Sequence, residues 1–220
     1  MALKEEKRLY QEGLKALKEK DYNKAIECFE KSSELGYFFS TYNLGCMYYF
    51  GDGVKEDQKK SFDYFLLASN QGDPEATNRV AVMYESAIGV DKDINKAFEY
   101  YEKSANMNSL SGMANLAICY LEGKGIEKNI EKGLEWMNTA SKKGNGVASL
   151  KLANFYTDGL YVEKDYQIAR SYLERGMDQK YGDAVMELAR FYKEGLGVEI
   201  DLAKAKELEE LAPVIFQEDD

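Results

Sequence analysis

Apolar and small residues recur along the chain with spacings of four and three, and the whole pattern then recurs every 36 residues. Leu44, Gly45 and Tyr48 open the series. It continues with Val80, Ala81 and Tyr84, with Leu116, Ala117 and Tyr120, with Leu152, Ala153 and Tyr156, and with Leu188, Ala189 and Tyr192. Such spacings put the three side chains on one helical face. A second series follows each first one. Its small positions are Ser61, Ala97, Gly133, Ala169 and Ala205. Its large positions are Tyr64, Tyr100, Trp136, Tyr172 and Leu208, then Phe65, Tyr101, Met137, Leu173 and Glu209. Two amphipathic helices per period predict an all-α chain, an α-solenoid of antiparallel helix pairs in which each pair buries its apolar face against the next. The units run over 40–75, 76–111, 112–147, 148–183 and 184–212. Residues 3–36 form a sixth, N-terminal hairpin in which Leu9, Gly13, Ala16, Ala25, Phe29 and Ser32 carry the spacing. Glu209 interrupts an otherwise apolar column, as the outer face of a terminal pair requires.

Between the paired helices stand Gly51-Asp52-Gly53-Val54 with Asp57, Gly123-Lys124-Gly125-Ile126 with Asn129, and Gly195-Leu196-Gly197-Val198 with Asp201. The first glycine suits a left-handed helix stop, and the Asp or Asn suits an N-cap. Ala87 and Tyr161 replace glycines of this pattern, so their two loops are expected to follow a different backbone path. Asp21 is expected to cap the second helix of the first hairpin. Asp73, Ser109 and Asn145 suit caps in the return turns, where Tyr37 and Tyr181 cannot. Residues 213–220 combine Pro213-Val214-Ile215-Phe216 with an acidic tail. They are expected either to fold over the last hairpin as a cap or to mediate end-to-end self-association of an otherwise monomeric protein.

The run Ala-x-x-x-Leu-Ala-x-x-Tyr-x-x-Gly-x-Gly-Val-x-x-Asp-x-x-x-Ala, from Ala184 to Ala205, resembles the Sel-one-like repeat (SLR), a relative of the tetratricopeptide repeat (TPR). The resemblance covers residues 40–212. The N-terminal hairpin resembles a plain tetratricopeptide unit, because Ala16 and Ala25 are nine apart where Tyr48 and Ser61 are thirteen apart. The resemblance implies a right-handed superhelix with its first helices on the concave side. It also implies work as an adaptor or scaffold that holds a protein or peptide partner in the concave groove. Some cysteine-rich secreted relatives bind or hydrolyse β-lactams, which supplies an alternative function as a small-molecule or cell-wall-fragment binder or weak hydrolase. The paired cysteines of that branch are missing here.

Composition narrows the chemistry further. The 220 residues carry a formal net charge of −10, which opposes binding to nucleic acid or to an anionic membrane surface. The N-terminal residues show neither a signal peptide nor a membrane span, so a cytoplasmic protein is expected. Histidine is absent, which removes the commonest general base and leaves only Asp and Glu for acid-base chemistry with no motif among them; with Cys28, Cys46 and Cys119 alone there is no metal-ligand set, and no cofactor is expected. The glycine loops lack the strand and the Lys-Ser/Thr ending of a phosphate cradle, and none of the serines has a lysine three residues later. The chain is therefore read as non-enzymatic.

Positions that do not repeat are the candidates for recognition. The first-helix columns expected to face the groove are Tyr42, Asn78, Ala114, Leu150 and Met186, then Asn43, Arg79, Asn115, Lys151 and Glu187, then Cys46, Val82, Ile118, Asn154 and Arg190. They form an aromatic N-terminal end around Tyr10, Tyr42, Tyr49 and Phe50. A polar, partly basic strip follows through Asn43, Asn78, Arg79, Asn115, Lys151, Asn154 and Arg190. Such amides can pair with an extended peptide backbone, and the cations can take its carboxylates.

Overall fold

In the computed structural model residues 2–217 are described, with side chains from 4 to 213. Among the described residues there are twelve helices and no strand: α1 Ala2–Lys18, α2 Tyr22–Glu34, α3 Phe38–Phe50, α4 Gln58–Asn70, α5 Pro74–Ser86, α6 Ile94–Asn106, α7 Leu110–Glu122, α8 Ile130–Lys142, α9 Gly146–Asp158, α10 Tyr166–Asp178, α11 Gly182–Glu194 and α12 Leu202–Gln217. They are six helix pairs, as the periodicity requires. Helix α2 begins 36 residues before α4, so the first pair departs from the others in its short turn of residues 19–21 and in the longer α1, 17 residues against 13 in α3. The chain divides into two compact units, residues 1–112 and 113–220.

Within each unit the repeating columns are the core. Leu44, Val80, Leu116, Leu152 and Leu188 are at most 2% exposed, and the small positions Ala81, Ala117, Ala153 and Ala189 lie beside them at 1% or less. Facing side chains compensate one another in volume, since interiors leave no spare space. A Cβ on Gly45 would stand 2.8 Å from the Phe65 ring, so this ring faces the smallest residue of its column. Glu209 is exposed and reaches Lys193 Nζ at 3.4 Å, the polar outer position expected of a last pair. The side chains of residues 214–217 and all of 218–220, where a cap or a self-association segment is expected, lie outside the described residues.

All five glycine loops close in the same way. The carbonyl of each repeating tyrosine accepts the backbone N–H of the next N-cap residue, from Asp57 to Tyr48, Asp93 to Tyr84, Asn129 to Tyr120, Asp165 to Tyr156 and Asp201 to Tyr192, at 2.8–3.0 Å. Asp57, Asp93, Asn129 and Asp201 then accept from the N–H three residues on. In the return turns Asp73, Ser109 and Asn145 cap as expected, and Tyr37 and Tyr181 make no side-chain cap.

The expectation that Ala87 and Tyr161 divert their loops is not met. Ala87 takes the left-handed geometry of its glycine counterparts, φ 57° and ψ 41° against 77° and 27° at Gly51, and Ile88 N–H still bonds to Met83 O. Tyr161 likewise has φ 67°. The repeat imposes its backbone on residues that pay a steric cost for it. At Tyr161 the ring offsets that cost by an edge contact with Phe155 and by lying under Lys128 Nζ.

A buried hydroxyl clamp recurs in both units. In the first, Thr41 Oγ1 sits 2.7 Å from Ser33 Oγ and donates to Gln71 Oε1 at 2.7 Å. In the second, Ser141 and Ser149 are 2.8 Å apart, Ser149 Oγ donates to Gln179 Oε1, and Gln179 Nε2 donates to Ser141 O at 2.6 Å. Between them in sequence Met107 replaces the glutamine, and its sulfur is 3.8 Å from Thr77 Oγ1.

Two stability measurements follow. Ala87→Gly should raise the unfolding free energy by ~0.5–1 kcal/mol by relieving the positive φ, while Tyr161→Gly should lower it because two ring contacts go with the ring. Equal gains from both in urea unfolding would refute this account of the loops. Gln179→Met should cost about 1–3 kcal/mol by removing the amide's bonds to the Ser141 carbonyl and the buried Ser149 hydroxyl, whereas Met107→Gln should be neutral or stabilising.

Candidate functional site

Helix α3, Phe-Phe-Ser-Thr-Tyr-Asn-Leu-Gly-Cys-Met-Tyr-Tyr-Phe, carries no charged residue. Ser40, Thr41, Leu44, Gly45 and Met47 point into the unit and are buried. Phe39, Tyr42, Asn43, Cys46, Tyr49 and Phe50 recur at spacings of three and four and share another face. Three of them remain open to solvent, Phe39 at 45%, Tyr49 at 36% and Phe50 at 68%. Tyr49 and Phe50 are neighbours at one end of this face, with ring centroids 4.9 Å apart, and Phe39 stands at the other.

The N-terminal end of this face is an aromatic cluster. The Tyr10 ring of α1 lies 5.2 Å from Tyr37 and 6.0 Å from Phe39, and Phe38 and Phe39 are 4.3 Å apart. Asn43 Nδ2 donates to Phe39 O at 2.8 Å. Burial pushes the Tyr10 phenol pKa up, and a hydrogen bond with Asn43 opposes the shift.

At the other end the face closes on a cavity of about 40 Å³, lined by Cys46, Tyr49, Phe50, Phe65, Val82 and Ile88 together with Arg79 and Met83. That volume admits about three water-sized spheres, the bulk of one aliphatic side chain. Arg79 is exposed, and its Nε donates to Tyr42 Oη at 3.4 Å. Burial pushes the Cys46 thiol pKa up, with the charges of Asp52 and Asp73 adding to the rise and Arg79 opposing it, so this cysteine is a packing thiol rather than a nucleophile.

The structure thus brings Tyr10, Tyr42, Asn43, Tyr49 and Arg79 together in the first unit. Asn78, on the same helix as Arg79, is buried at 6% exposure. The remaining candidates belong to the second unit. Lys151 and Asn154 are exposed on α9, and Asn115 is half-buried on α7. Arg190 on α11 is clasped by Glu187 and by Glu194 at 3.0 Å, so its charge is already matched. The column reading missed Phe39 and Ile88. Phe39 precedes Tyr42 by three positions and Cys46 by seven, so the period-3.6 rule could have added it to the same face. Ile88 stands where the loop pattern gives no function, and only the fold brings it to the cavity.

The repeating tyrosines face elsewhere. Tyr48 stacks on Tyr64, Tyr84 on Tyr100 and Tyr156 on Tyr172, with ring centroids 5.5–5.9 Å apart. Lys60, Lys96 and Lys132 lie over Tyr48, Tyr84 and Tyr120. Their rings and the lysines above them are repeat structure. A second, open depression of about 580 Å³ is lined by Glu30, Glu34, Tyr64, Leu67 and Gln71, with two carboxylates and no cation. Among the described residues no group of three or more Cys, Asp or Glu side chains could hold a metal ion, and no helix is long and apolar enough to cross a membrane.

Six matches to the Sel1 repeat model cover residues 8–37, 39–73, 74–109, 110–145, 146–181 and 182–212, so the first hairpin is matched along with the five longer units. Among solved structures, a Sel1 repeat protein from Oxalobacter formigenes is 27% identical over 93% of this chain and 83% of its own, with a TM-score of 0.83. A protective antigen of uropathogenic Escherichia coli, described as displaying an SLR fold, is 26% identical with a TM-score of 0.79. It is matched over 95% of this chain, which spans 46% of that protein's length. An immunity protein from Pseudomonas aeruginosa, 22% identical over 88% of this chain and 73% of its own at a TM-score of 0.63, shares the fold. Among curated proteins none matches. With six repeat matches over six helix pairs, and two solved relatives spanning nearly its full length, the chain belongs to the Sel1 repeat family, an all-α solenoid fold.

Proposed function

We propose that this protein is a non-enzymatic adaptor that binds a protein or peptide partner on the first-helix face of its N-terminal unit. The observation that carries this reading is the α3 face, where Phe39 stays exposed at one end and Tyr49 and Phe50 stay exposed at the other, beside a cavity and the Arg79 guanidinium. Leaving such rings in water is unfavourable by ~25 cal/mol for each Å² of apolar surface, so a partner that covers them gains affinity. Aromatic and arginine side chains around a desolvated pocket are also the residues that dominate binding energies at interfaces. General protein-binding work in the Sel1 repeat family agrees with this use of the scaffold. Exposed Lys151 and Asn154 are proposed as a separate contact on the second unit. No comparable observation favours the small-molecule or hydrolase alternative.

The double variant Phe39→Ser/Phe50→Ser should lower the melting temperature only modestly, because Phe50 is largely solvated and Phe39 gives up ring contacts with Tyr10, Tyr37 and Phe38 at the surface. It should weaken the partner captured from native cells by at least about tenfold. Leu67→Ser, on the solvent side of α4, should leave capture intact. Undiminished capture by the double variant would contradict the reading.

A further inference from the structure

Five arginines occur in the sequence, and the company they keep differs. Arg8 pairs with Glu12, Arg170 with Glu174, and Arg190 with Glu187 and Glu194. Arg175 donates to the buried Ser141 hydroxyl and lies over the Tyr172 ring. Arg79 has the Tyr42 hydroxyl at 3.4 Å and, among the described residues, no carboxylate within ion-pair distance. Glu75, one turn before it, instead accepts from Ser109 Oγ at 2.6 Å. A protein with a net charge of −10 therefore holds, at a small apolar cavity beside exposed Tyr49 and Phe50, a guanidinium that has no carboxylate partner among the described residues and, unlike that of Arg175, no buried hydroxyl to serve.

We infer that this site receives the C-terminus of a partner chain that ends in an aliphatic residue, with its α-carboxylate on Arg79 and its last side chain between Val82, Ile88 and Phe50. Charge and size both point to this occupant. Guanidinium recognises a carboxylate through two parallel N–H bonds, and Tyr42 Oη, already bonded to Arg79 Nε, orients that fork. The overall negative charge disfavours a partner with a long acidic run, while a chain end brings a single carboxylate. The cavity holds one aliphatic side chain, and a chain end can fill it without having to leave again. The preceding residues would lie along Tyr49, Cys46 and Tyr42 toward Asn43. This inference rests on the adaptor reading and adds the chemistry of the partner to it.

The test is fluorescence anisotropy with dye-labelled hexapeptides that end in Val, Leu or Ile, each as the free acid and as the C-terminal amide. A third set, amidated, places Glu before the last residue. The free acids should bind, and amidation should weaken them at least tenfold. Arg79→Gln should weaken the free acids by the same factor and leave the amides unchanged. Val82→Trp, which fills the cavity, should abolish binding, with an unchanged circular-dichroism melting curve showing that the fold survives. Equal binding of acids and amides, equal binding of the internal-Glu set, or no binding by any free acid would overturn the inference. Loss of the cellular partner by Phe39→Ser/Phe50→Ser alongside any of those results would leave the adaptor reading standing.

Discussion

Three of the five glycine loops are pressed against the start of the second helix in the preceding hairpin, so closely that a side chain on the loop's second glycine would have no place to go. A Cβ on Gly53 would collide with Tyr22, one on Gly89 with the Gln58 carbonyl, and one on Gly197 would stand 2.7 Å from Tyr166 Cβ. These contacts recur at the repeat length and fix how a hairpin seats on its predecessor. The same loops are tied to their own first helices by the N-cap N–H bonded to the tyrosine carbonyl. Residues that a sequence scan could take for a binding loop are thereby committed to structure. Even Ala87 follows the shared path at the expense of a positive φ.

That commitment separates structure from function along the chain. Columns that repeat, such as Leu44 to Leu188 or Tyr48 to Tyr192, are used up in burial, stacking and loop closure. Positions that change from one hairpin to the next are left to meet something else. On α3 the changing positions are aromatic and partly exposed, and they lead to the cavity beside Arg79. On α11 the Arg79 column carries Glu187, and Arg190 in the next column is held by two carboxylates of its own helix. Arg79 and Arg190 stand in neighbouring columns of the same helical face and differ in availability because Glu187 and Glu194 lie three and four residues from Arg190 and bond to it.

The fold was legible because a 36-residue period with small and large residues at helical spacing admits few packings. Helix pairs, caps and the outward Glu209 could all be read from residue types. The loop geometry at Ala87 and Tyr161 was not, because propensity argues residue by residue whereas five loops closing on similar contacts impose a common path. Part of the site was also legible: Tyr10, Tyr42, Asn43, Tyr49 and Arg79 do gather in one unit. Column logic could not reveal that Asn78 is buried or that Arg190 is already paired. Burial and pairing depend on neighbours one or two turns away and on other helices, which a column read down the repeats does not include.

The central claim is that the α3 face of the N-terminal unit is the surface that meets a partner. Replacing Phe50 with a photo-crosslinking phenylalanine analogue and irradiating living cells tests it directly, with Leu67 on α4 replaced in parallel. The account predicts a discrete crosslinked species of higher mass from position 50 and none from position 67. Crosslinking from position 67 with none from position 50 would contradict it.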